Sequence, residues 1–170
     1  MEREALSPFE LKTLESQIPE NIRQRFIEHG GQIAHLKLAL ATDLAGDGVF
    51  GEQWLLIDES ELQVIANEAG RARVIFHLPL EDLEAAQIEP CVGNGLLKVT
   101  VCGQPQILMH FTNEQTERFA LVAHYLRQRI ELGPAAPAPD FETDTQRCLS
   151  CGRRLLDPSL KVCPLSLIHI

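Results

Sequence analysis

The chain has 170 residues, 45% hydrophobic and 23% charged, enough for one cored domain plus a small appendage and incompatible with disorder throughout. Its formal net charge of -9 speaks against a nucleic-acid partner, which needs a basic face to displace phosphate counterions. The start MEREALSPFELKTLE lacks the apolar stretch of a secretion signal, no apolar run reaches membrane-span length, and five cysteines, two of them in C-x-x-C, fit a reducing cytoplasm and metal binding.

Residues 8–30, PFELKTLESQIPENIRQRFIEHG, carry helical spacing broken by Pro19, which suits the first turn of a helix and not its interior. Two short helices ending at Gly30-Gly31 are therefore predicted. From Ile33 the pattern changes to short apolar runs with period-two stretches: HLKLALAT, QWLLID, LQVIAN, ARVIFHL, EAAQIEP, GLLKVTV and QILMHFT. Turn chemistry separates them, namely AGDG, ESE, NEAG, VGNG and CGQP. Seven such strands predict an antiparallel sandwich or barrel.

Residues 113–132, NEQTERFALVAHYLRQRIEL, place Phe119, Val122, Leu126 and Ile130 on one face of an amphipathic helix. A seven-stranded barrel or sandwich closed by such a helix resembles a pleckstrin-homology-like (PH-like) domain, so the fold class is α+β, mainly β. GPAAPAPDFETDTQ (133–146) is a linker: a helix-stopping glycine, three prolines, then acidic and polar residues with little to bury. The division expected is a helical lead (1–31), the β domain with its closing helix (32–132), the linker (133–146), a cysteine-bearing tip (147–164) and an anomalous end (165–170).

The strongest chemical signal is C-x2-C-x11-C-P, formed by Cys148, Cys151 and Cys163. Structural zinc takes thiolates in pairs from tight turns, and Gly152 suits the turn after Cys151. The competing reading is a disordered tail with reducible thiols. Three thiolates leave a coordination position open, as in a zinc hydrolase, but nothing nearby supplies a general base. Cys91 and Cys102, in or beside strands, read as small buried hydrophobes. The histidines are scattered, with His29 at a helix end, His35, His77 and His110 in strands and His124 on a helix, and they form no ligand pair.

DLAGDGVFGE (43–52) fails as a calcium loop, because Ala45 and Trp54 stand where oxygen ligands belong. VGNG (92–95) lacks the Gly-Lys-Ser/Thr ending of a phosphate loop, and EDLEAA (81–86) reads as a solvated stretch leading into a strand. No nucleophile, base and orienting group come together, so no active site is expected.

In order, ALATDL, GVFGEQWLLIDESEL, LPLEDLEAAQIEPCVGNG, ILMHFTNEQTERFALVA and RCLSCGRRLLDPSLKVCP resemble the N-terminal cytoplasmic region of bacterial ABC exporters with permease and ATPase fused in one chain. The resemblance spans residues 18–164. It implies a ribbon C-x2-C-G-R-x-L…C-P-x-C before the first membrane helix, with Cys148, Cys151 and Cys163 as zinc ligands and a fourth cysteine at position 166, where Ser166 stands. It further implies ATP and Mg only in the membrane and nucleotide-binding domains that follow. Those domains would be its partners in a homo- or heterodimer at the cytoplasmic face of the inner membrane. The fragment itself is then an accessory or regulatory region and not an enzyme. The alternative is a free-standing PH-like adaptor with a ribbon tip.

One DNA that encodes the final LSLIHI (165–170) is CTG TCT CTT ATA CAC ATC, which is similar to a transposon end used in sequencing libraries. The expectation is that these six residues are translated adapter and that the native chain continues beyond Pro164.

Overall fold

The computed structural model describes residues 18–44 and 50–138. Pro19 stands at the N-cap of helix α1 (Glu20–Glu28), as expected of a residue with no amide hydrogen to contribute. The first of the two expected helices lies outside the described residues. Gly30, at φ +94°, ends α1: its amide donates to Ile27 and that of Gly31 to Phe26, a Schellman closure.

All seven expected strands form, as β1 (Leu38–Leu44), β2 (Phe50–Ile57), β3 (Glu61–Glu68), β4 (Arg71–Pro79), β5 (Leu83–Pro90), β6 (Asn94–Val101) and β7 (Gln104–Thr112). They pair antiparallel in two sheets, β1-β2-β3-β4 and β5-β6-β7, every pair being a sequential hairpin. The break between sheets falls at the 3-10 turn Leu80–Asp82, which overlaps the start of the stretch 81–86 read as a solvated lead-in to β5. Leu80 and Leu83 are buried there and carry the chain from one sheet to the other. His35, expected in the first strand, belongs instead to a 3-10 turn, Ile33–His35.

Helix α2 (Thr116–Leu132) follows β7 and packs chiefly on β5. Phe119, Val122 and Leu126 are buried as the periodicity predicts, joined by Ala123 and Tyr125. Ile130 departs from expectation at 37% exposed, as does Leu132 beyond it at the end of α2. Phe119 stacks on Phe111 of β7 with centroids 4.4 Å apart. Gly95, the cross-strand partner of Phe111, leaves room for that ring: a Cβ there would sit 2.4 Å from it. At the other seam Thr42 Oγ1 donates to the His110 carbonyl (2.8 Å) and Gln115 Nε2 to that of Ala41 (2.8 Å), fastening β1 to β7 and the start of α2.

Two apolar clusters result. The larger lies between the sheets and α2, around Leu55, Val64, Leu97, Met109 and Phe111. The smaller lies on the outer face of the four-stranded sheet, where Ile22 and Phe26 of α1 cover Trp54, Leu56 and Ile65. β3 is consequently buried on both faces from Leu62 to Ala66. Gln63, fully buried on the α1 side, donates from Nε2 to the carbonyls of Phe26 (3.2 Å) and His29 (3.4 Å) and so serves the C-terminal carbonyls that a helix leaves unpaired.

Candidate functional site

Between α1 and the β3–β4 hairpin lies an open cleft of about 500 Å³, walled by Asn21, Arg25, Glu28, Glu68, Arg71 and Arg73. The hairpin turn is Ala69-Gly70, both at positive φ (50° and 77°), the backbone of a tight primed turn. Asn21 Nδ2 donates to Asn67 Oδ1 (3.0 Å) and to the Gly70 carbonyl (3.2 Å), pinning α1 to the turn. Asn67 in turn donates to Glu52 (2.9 Å), whose other carboxylate oxygen accepts the indole N–H of Trp54 (2.6 Å). The cleft wall is thus anchored to the smaller core.

β4 is the free edge of its sheet, and Arg25 Nε donates to the Ala72 carbonyl (3.0 Å), covering part of that edge. Arg25 also pairs with Glu28 (3.0 Å) and Arg73 with Glu68 (2.8 Å), both at exposed positions where an ion pair contributes little. Arg71 is exposed and makes no side-chain hydrogen bond or ion pair among the described residues. Guanidinium groups present planar forks of donors that match carboxylates and phosphates, and here two of the three already face the carboxylates of Glu28 and Glu68 in the same lining. Sequence reasoning missed the cleft, because α1 and β4 are distant in the chain. The R-A-R alternation after NEAG was the one available signal, placing two cations on one side of a strand.

A second polar group occupies the opposite end of β4. In the β2–β3 turn Asp58 is 1% exposed and accepts four hydrogen bonds, from Ser60 N, Ser60 Oγ, Glu61 N and Gln32 N. Glu59 meets His35 and Lys37 (3.4 Å each), while its carbonyl accepts Arg129 of α2 (2.9 Å). Burial pushes the phenol of Tyr125 above its ordinary value near 10; the Arg129 charge opposes this, and Asp58 and Glu59 add smaller upward pushes. A folded-state pKa above the unfolded one contributes stability that is complete below about pH 10 and is lost as pH rises toward the folded value. Stability should therefore fall above about pH 10 less steeply in Tyr125→Phe than in the parent. Tyr125 is the sole tyrosine, so its phenolate absorbance checks the shift directly.

The expected ligands Cys148, Cys151 and Cys163 lie outside the described residues. Among the described residues no group of three or more His, Cys, Asp or Glu side chains is placed to hold a metal ion. Cys91 and Cys102, expected to be buried, are exposed. Each stands in a hairpin connection just beyond a strand, Cys102 at φ +51°, where the side chain leaves the sheet face. His77 of β4 meets Glu61 at 2.9 Å, and His29 is the C-cap of α1. No helix among the described residues is long and apolar enough to cross a membrane. No protein family matches the chain, and no curated protein matches it.

Proposed function

We propose that this chain is the N-terminal accessory region of an ATP-driven ABC exporter, a PH-like module that holds protein partners and leaves transport and ATP hydrolysis to domains beyond it. The observation that carries the reading is a combination: four strands, a crossing turn, three strands and a closing helix, followed in sequence by a proline-containing tether and a cysteine cluster at ribbon spacing. The order of sheets and helix supports the PH-like layout. The exporter assignment rests on the sequence resemblance. Natural partners in this reading are the exporter's own nucleotide-binding domains, met on the cytoplasmic side.

Cys148, Cys151 and Cys163 would hold zinc as a structural ion, three soft thiolates being a donor set suited to it. Such an ion stabilises a segment too small to bury a core of its own. Zinc competition against a chromophoric chelator tests this. Ser166→Cys, which supplies a fourth thiolate, should tighten zinc binding at least about tenfold; equal affinity in both chains would remove the ribbon. Sequencing native DNA across the codons of Pro164 and Leu165 tests the exporter itself. C-P-x-C, an apolar span and a Walker A motif downstream support it, whereas a stop codon after Ile170 favours the free-standing adaptor.

A further inference from the structure

We draw no further inference here: the strongest candidate, the cleft between α1 and the β3–β4 hairpin, carries nothing further, because two of its three arginines already pair with Glu28 and Glu68 in the same lining and nothing in the structure shows what would occupy it.

Discussion

Phe26→Ala should lower the unfolding free energy by about 3–5 kcal/mol, the range for emptying a fully buried aromatic site. Phe26 is 0% exposed and anchors α1 to the outer face of the four-stranded sheet. Its ring also fits against Gly31 so closely that a Cβ there would lie 2.5 Å away, so nothing beside it is shaped to fill the space. A nine-residue helix has too few turns to persist by itself in water, and its docking depends on Ile18, Ile22 and Phe26.

The loss should therefore be partly local. The larger core, from Leu55 to Leu126, makes no use of Phe26, so the two sheets and α2 remain folded when α1 loosens. Trp54, the sole tryptophan, lies under α1 at 9% exposed and reports the event directly. In Phe26→Ala its emission should move to the red at urea concentrations that leave the near-ultraviolet signal of Tyr125 unchanged. A single transition seen identically by both probes, with a cost under about 1 kcal/mol, would show that α1 is not a separable layer.

Asp58→Ala is the second large effect, expected at about 2–3 kcal/mol because four donors at the partly buried turn lose their shared acceptor together. The carboxylate is buried and serves three backbone amides and one hydroxyl, each a charge-assisted bond that alanine cannot replace. Two of those amides shape the β2–β3 turn, and the third, Gln32 N, ties that turn to the segment leaving α1. Asp58→Asn should cost less. Its carbonyl oxygen can still accept Ser60 N and Glu61 N, while its amide nitrogen meets the Gln32 donor unfavourably. Urea midpoints at constant m-value, ordered parent, Asn, Ala, check the account; an alanine variant as stable as the asparagine one would contradict it.

Both residues sit in plain sight in the sequence, and neither announced its weight. ESE after Asp58 was legible as a turn, but the fourth donor, Gln32, arrives from twenty-six positions earlier. Phe26 was legible as apolar at helical spacing, while the surface that its helix covers is made by residues of β2, β3 and β4. The consecutive apolar residues Val64, Ile65 and Ala66 within LQVIAN held a hint, because a strand buried on both faces loses its period-two signature.

The sequence by itself determined the seven strands, their turns and α2, since φ preference, alternation and helical spacing are written in neighbouring residues. It also determined the cysteine spacing at Cys148, Cys151 and Cys163, which is a property of the chain whatever its shape. Only the tertiary structure decided where one sheet ends and the next begins at Leu80–Asp82, that α1 covers the outer sheet, that Cys91 and Cys102 face outward, and that Arg25 joins Arg71 and Arg73. Those outcomes depend on which distant surfaces bury one another. Burial is a sum over the whole chain, and no short stretch of residues carries it.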